Sequence, residues 1–141
     1  RVEFPSTYET ESRELELPGG LVRFSEASCQ QSGLRFSAFH ARYEDEAVLA
    51  LPERERLRGA VHGGVDGAGA ELSKLEWIQL GGVQAARFSA TIENPGGGAP
   101  VRFEGVALVD GPDLLNASVM FEASREDSAA VTSFLMSARI L

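Results

Sequence analysis

The chain has 141 residues, a usual size for one domain, and 43% of them are apolar, which excludes an intrinsically disordered protein. Its formal net charge is −8. This charge disfavours a basic face for nucleic acid or for an anionic membrane surface, and no apolar run approaches the roughly 20 residues that a membrane-spanning helix needs.

The first third of the chain predicts a strand-rich start. Residues 1–11, which include Phe4-Pro5, form a polar lead-in segment with little to bury. Weak alternation over residues 12–17 is followed by Pro18-Gly19-Gly20, a turn signal. Residues 21–28 and 34–43 then read as two strands joined by a hairpin loop at residues 30–33.

A helix is predicted next, with Pro52 as its first residue. Its apolar face contains Leu57, Ala60 and Val61. The glycine pair Gly63-Gly64 is expected to end it. On its wet side, spacing of three residues allows two ion pairs, Glu53 with Arg56 and Glu55 with Arg58.

Four more strands follow. Residues 72–80 and 83–92 flank Gly81-Gly82, a pair that favours a primed hairpin turn. In residues 101–109 the apolar positions change parity around Gly105, which predicts a β-bulge there. A turn at residues 110–113 leads into the strand 114–122, with one apolar face formed by Leu115, Ala117, Val119 and Phe121.

The last predicted element is a helix. Ser124 is a good N-cap, and Asp127 three residues later completes a capping box. The buried stripe consists of Ala130, Val131, Phe134 and Leu135. Together the elements predict a single α+β domain over residues 1–141, a largely antiparallel sheet of about six or seven strands with two main helices on its apolar face.

Candidate catalytic and metal-binding residues are few. Cys29 is the only cysteine, and the predicted hairpin register places it roughly 20 Å from His40, whereas a catalytic pair needs about 3 Å. The two histidines and Cys29 lack the spacing of a zinc site. We therefore predict no catalytic residues, no metal ligands, no cofactor and no enzymatic activity.

Several other residues have ordinary structural interpretations. His62 is expected near the end of the first helix, where the helix dipole favours a cation. The acidic run Glu44-Asp45-Glu46 lacks the ligand alternation of a calcium loop and is expected to be a solvated loop. Tyr43 and Trp77 could belong to a ligand surface, but packing in the core or at a sheet edge is the favoured interpretation.

A whole-chain pattern resembles the PsbP-like superfamily. The pattern combines the Phe4-Pro5 lead-in, Leu80-Gly81-Gly82, Arg102-Phe103, the turn at Asp110-Gly111 and a final Phe134-Leu135-x-Ser137-x-Arg139-x-Leu141. Val83 stands where proline often follows the glycine pair, and Ala138 stands where an aromatic residue is common. The resemblance implies an antiparallel sheet flanked by helices in a small exported bacterial protein that binds or assembles and is not an enzyme.

The predicted function is that of a non-catalytic, exported binding or assembly domain with a protein partner. The candidate interaction surface is the loop at residues 94–100, in particular Asn94, Pro95, Gly96, Gly97 and Gly98. The alternative is a small-ligand carrier with a pocket between sheet and helix. Because the chain starts at Arg1, a leader removed before maturation is expected, and the periplasm or cell envelope is favoured, although a cytoplasmic location is also compatible.

Overall fold

The computed structural model describes residues 1–17, 20–94, 96–124 and 128–141. Its seven strands form one sheet in the order β1-β2-β3-β7-β6-β5-β4, and every neighbouring pair is antiparallel. The predicted α+β class and antiparallel sheet are confirmed. The elements are β1 (Glu9–Leu17), β2 (Gly20–Gln31), β3 (Leu34–Tyr43), α1 (Glu46–Leu49), α2 (Glu53–Gly67), β4 (Glu71–Leu80), β5 (Val83–Ile92), β6 (Val101–Asp110), β7 (Asp113–Glu122) and α3 (Ser128–Met136).

Both faces of the sheet are covered, whereas one apolar face was predicted. Side chains of a strand alternate between the faces. In β6, Val106 and Leu108 join the core cluster of α3, whereas Ala107 and Val109 join that of α2. The helices therefore lie on opposite faces. The described residues contain three helices where two main ones were predicted, and the additional helix α1 is a single turn that contributes no buried residue.

Helix α2 continues past the glycine pair that was expected to end it. It runs to Gly67, and Val65 in its last turn is only 2% exposed. Burying a valine side chain is worth about 1.5–3 kcal/mol, and a glycine costs a helix interior about 1 kcal/mol relative to alanine. The packing of Val65 thus offsets much of the poor helix propensity of Gly63 and Gly64.

The N-terminal segment packs on the α3 face instead of remaining a polar lead-in. The Phe4 ring lies edge-on to Phe134 with 5.2 Å between ring centroids, and it stacks on Tyr8 at 4.8 Å. The backbone of Arg1 pairs with that of Arg139 in both directions. The expectation that this segment buries little agrees with the structure, since only Val2 and Phe4 of residues 1–11 are half-buried, but these two side chains pack the segment against the α3 core.

The two-residue turns follow the local sequence signals. Gly81 and Gly82 have φ angles of 61° and 82°, and Leu80 pairs with Val83 across them. The predicted primed hairpin at this pair is confirmed. The β2–β3 turn is tighter than predicted, since only Ser32 and Gly33 stand outside the ladder. The turn residues Pro18-Gly19 and the capping residue Asp127 lie outside the described residues.

The bulge predicted at Gly105 is absent, because the β6 registers with β5 and β7 run unbroken through it. The change of parity arises because β6 is buried on both faces. Glycine stands there for a different reason: a Cβ would lie 2.3 Å from Cζ of Phe88, whose ring covers the site. A register shift occurs instead on the edge strand β4, between Leu72 and Lys74. Among the described residues, no helix combines the length and apolar character that crossing a bilayer requires.

Candidate functional site

A cleft of about 830 Å³ lies between α2 and one half of the sheet. On this face α2 packs against β4, β5 and β6. The remaining half, formed by β2, β3 and β7, supplies the floor of the cleft, and α2 supplies its wall. We call this the α2 cleft. Its apolar lining includes Phe24, Phe39, Tyr43, Phe103, Leu114 and Met120, and Val48 and Leu51 close one end.

The floor of the α2 cleft is mainly aromatic. Phe24 of β2 and Phe39 of β3 are half-buried, and their ring centroids are 5.1 Å apart. The guanidinium of Arg13 lies 5.9 Å from the Phe24 centroid, a cation–π contact at the rim. Polar groups from Ser37, Asn116 and Ser118 stand among these rings. Such a surface offers apolar area together with a few groups that can orient a bound molecule.

The α2 wall of the cleft is lined by glycine. Gly59, Gly63 and Gly67 are spaced by four residues and so share one face of the helix. A Cβ added at any of them would have no atom within 4 Å, and one at Gly64 would lie 3.5 Å from Asn116 Nδ2. Close packing inside the chain therefore does not require these glycines. Larger side chains there would project into the cleft.

Arg56 is a charged residue of this wall whose side chain is partly buried. Its Nη2 atom is buried and has no hydrogen-bond partner among the described residues. Among the described residues, Arg56 forms no ion pair with Glu53 and Glu55 forms none with Arg58, although both pairs were predicted. Arg58 lies instead over the ring of Trp77, 5.8 Å from its centroid.

Tyr43 lines the cleft close enough to Arg56 to sense its charge. It is the last residue of β3, and its backbone N–H donates to the Pro112 carbonyl at 3.0 Å. Burial raises the pKa of its phenol, and the positive charge of Arg56 opposes that rise. The hydroxyl therefore remains a neutral donor at physiological pH. Of the two aromatic residues considered for a ligand surface, the structure places Tyr43 in the cleft and Trp77 outside it.

Cys29 and His40 are not brought together. Cys29 pairs with Phe36 and His40 with Ser25, so the two levels of the hairpin are four residues, or roughly 13 Å, apart. This separation is shorter than predicted but still far beyond hydrogen-bond reach. Sequence reasoning missed the partner of His40, which is Asp113, with 2.9 Å between His40 Nε2 and Asp113 Oδ1.

The same carboxylate also binds Arg42, at 3.2 Å and 3.3 Å from its Nη1 atom. Ser25 lies opposite His40 across β2 and β3, whereas Asp113 lies opposite Arg42 across β3 and β7 and reaches His40 diagonally. However, the Ser25 hydroxyl is paired with Ser12 at 3.3 Å. A nucleophile needs a hydrogen bond to its base, and none joins Ser25 to His40 in the described part of the chain. The group is a set of hydrogen-bonded polar side chains on the sheet.

The structure also gives the positions of His62 and of the acidic run at residues 44–46. His62 is exposed and lies more than one turn before the end of α2, since the helix continues to Gly67. The acidic run is a loop at Glu44 and Asp45, as predicted, and only Glu46 belongs to α1, which Asp45 caps by accepting a hydrogen bond from Ala47 N at 2.9 Å. Within residues 1–17, 20–94, 96–124 and 128–141, no three side chains of His, Cys, Asp or Glu are grouped for a metal ion.

The predicted interaction loop folds on itself. Asn94 Oδ1 accepts from Gly96 N at 3.1 Å, and the Asn94 carbonyl accepts from Gly97 N at 3.1 Å. A Cβ on Gly98 would lie 2.5 Å from Asn94 Nδ2, so a larger residue there would displace the Asn94 side chain. Pro95 lies outside the described residues. The described residues of this loop do not line the α2 cleft, and their role in binding stays a prediction.

Two chains among the solved structures match this chain. No family model matches the chain. No curated protein matches it either. The chain is similar to the crystal structure of the protein of unknown function PA94 from Pseudomonas aeruginosa, with 11% identity and a TM-score of 0.49 over 80% of this chain and 84% of the other. A likeness this distant supports no inference about function.

Proposed function

We propose that this domain is a non-catalytic binding protein that holds a small, largely apolar ligand in the α2 cleft. The observation that carries the proposal is the cleft itself, about 830 Å³ of space beside half-buried aromatic rings. Pockets for small molecules typically have roughly 300–1,000 Å³ and mainly apolar walls with a few polar groups. Both the size and the lining of the α2 cleft agree with that description.

The glycines of α2 support a binding role for this space. Alanine would be worth about 1 kcal/mol more than glycine at each interior helix position. Gly59 and Gly63 each lower the stability of α2 by about that amount. Packing within the chain does not explain them, since a Cβ at either position would have no atom within 4 Å. Their small size keeps the wall of the cleft clear. This is the arrangement expected where a bound molecule takes the place of side chains.

We further propose, following the PsbP-like resemblance, that the protein acts in the periplasm or cell envelope and has a protein partner. The loop held by Asn94 supports this second role, because Asn94 and residues 96–99 are exposed and the shape of the loop depends on its own hydrogen bonds. Replacing residues 94–100 by a two-residue turn should leave the fold intact and weaken capture of the partner in a pull-down. Unchanged recovery of the partner would speak against a role for the loop.

The cleft is tested by filling it. Both Gly63 and His62 are exposed, but only Gly63 lines the cleft, so Gly63→Leu adds a side chain at the cleft and His62→Leu places the same side chain outside it. Nile red, a neutral apolar dye, should fluoresce strongly with the unchanged protein and with His62→Leu, and weakly with Gly63→Leu. Thermal unfolding of both variants shows that the fold is kept. Equal dye binding by all three proteins would contradict the proposed site.

A further inference from the structure

Arg56 differs from the other arginines near it. Arg54 and Arg58 place their guanidinium groups over the Trp77 ring, 5.0 Å and 5.8 Å from its centroid, on the side of α2 away from the cleft. Arg42 is paired with Asp113. Arg56 alone of these four lines the α2 cleft, and its buried Nη2 has no partner in the described part of the chain.

A buried N–H of a charged group without an acceptor is costly, and native proteins supply one in the large majority of cases. Because Nη2 has almost no accessible surface, an acceptor in the cleft can reach it only if the Arg56 side chain, which lines the cleft, turns towards the open space. The charged groups around the cleft favour an anion there, since Arg13, Arg35 and Arg56 stand against Glu26 and Glu55. This local excess of positive charge occurs in a chain whose formal net charge is −8.

We propose that the ligand of the α2 cleft is an amphipathic monocarboxylate, such as a medium-chain fatty acid, whose carboxylate is bound by Arg56 beside the Tyr43 hydroxyl. The planar guanidinium presents parallel donors that match the two oxygens of a carboxylate. Tyr43 adds a neutral donor at the same end of the cleft. The hydrocarbon chain lies along Phe24, Phe39 and Met120. This inference rests on the proposed binding function of the cleft.

A single negative charge fits the site better than two. Glu55 follows Arg54 in the first turn of α2 and lines the cleft next to Arg56, and Glu26 lines it from β2. Both carboxylates repel an anion, and the repulsion grows with the charge of the head group. A carboxylate is therefore favoured over a doubly charged phosphate monoester with the same tail.

Isothermal titration calorimetry with three ligands of one tail length tests the assignment. The full chain is titrated with decanoate, decanol and decyl phosphate, and the decanoate and decanol titrations are repeated with Arg56→Gln and with the matched control Arg58→Gln. A hydrogen bond to a charged group is worth about 1.5–3 kcal/mol, which is about 10- to 100-fold in Kd. Decanoate should bind the unchanged protein at least about 10-fold more tightly than decanol. Arg56→Gln should remove that advantage and leave decanol binding as it was.

The possible results distinguish a failure of the carboxylate assignment from a failure of the proposed binding function. If decanol binds as tightly as decanoate, or decyl phosphate binds more tightly than both, the cleft still binds apolar chains but the carboxylate assignment is wrong. The same conclusion follows if Arg56→Gln and Arg58→Gln bind decanoate equally. If none of the three ligands binds the unchanged protein, the proposed function fails as well. The comparison of decanoate with decanol needs no variant, so it tests the preference for a carboxylate even if Arg56→Gln does not fold.

Discussion

Replacing Gly63 by alanine should make the domain more stable. Gly63 lies inside α2, and an added Cβ would have no atom within 4 Å, so the methyl group meets no obstacle. Alanine is better than glycine in a helix interior by about 0.8–1 kcal/mol. For a domain of this length, a gain of that size raises the melting temperature by about 3–4 °C.

Urea denaturation measures the change in the free energy of unfolding directly. The matched control is Gly105→Ala, where the Cβ would lie 2.3 Å from Phe88 Cζ and 3.0 Å from the Ala117 carbonyl oxygen. Overpacking of this kind costs about 1–3 kcal/mol, so the two alanines should change stability in opposite directions. If Gly63→Ala unfolds at a lower urea concentration than the unchanged protein, α2 is packed more closely at Gly63 than the structure shows, and the glycine argument for the cleft fails.

Three further predictions concern charged and titratable groups. Arg56→Met should raise the free energy of unfolding of the ligand-free protein by about 1 kcal/mol, since it removes a buried donor without a partner; a loss in urea denaturation would show that the guanidinium is already paired. In Tyr8→Phe, Tyr43 is the only tyrosine, and its absorbance titration should have a midpoint above 10 that rises further when Arg56→Gln is added, because burial raises this pKa and the arginine charge opposes it. The stability that neutral Tyr43 contributes is present below pH 10 and should decrease as pH rises through its folded pKa, whereas a midpoint at or below 10 would contradict the burial of the phenol. Lys74 lowers the pKa of Glu76 by a hydrogen bond and by its charge, so Lys74→Met should return that pKa, followed by carboxyl NMR shifts, towards its usual value without a measurable change in melting temperature.

The turns and strand bounds were predicted well because their signals are local. The residue types of Gly81 and Gly82 are enough to predict a primed turn, and the position of the turn sets the ends of the two flanking strands. The predicted strands 34–43 and 83–92 have the bounds that the structure shows. Errors arose where a distant residue decided the outcome. The end of α2 depends on the burial of Val65, and the conformation at Gly105 depends on the Phe88 ring.

The α2 cleft could not be predicted in the same way. Its floor combines β2, β3 and β7, and β7 joins β3 only because the chain returns to the middle of the sheet after β6. The spacing of charged residues on the helix predicted that Arg56 would pair with Glu53. It does not show which face of α2 packs against the sheet and which face lines a cleft. One signal was present: Gly59, Gly63 and Gly67 recur every four residues in a helix that gains nothing from them locally.

The strand order leaves two free edges, β1 and β4, and both oppose the addition of a further strand. The register shift between Leu72 and Lys74 breaks the regular spacing of hydrogen bonds along β4. The β1 edge has exposed Glu9 and Glu11, whose carboxylates would come close to those of another copy paired antiparallel around them, whereas Glu14 is paired with Arg23 at 3.0 Å. Charges and irregularities of this kind protect natural sheets from edge-to-edge aggregation. Part of the net acidity of the chain therefore acts as a barrier that keeps copies of this sheet from joining at β1.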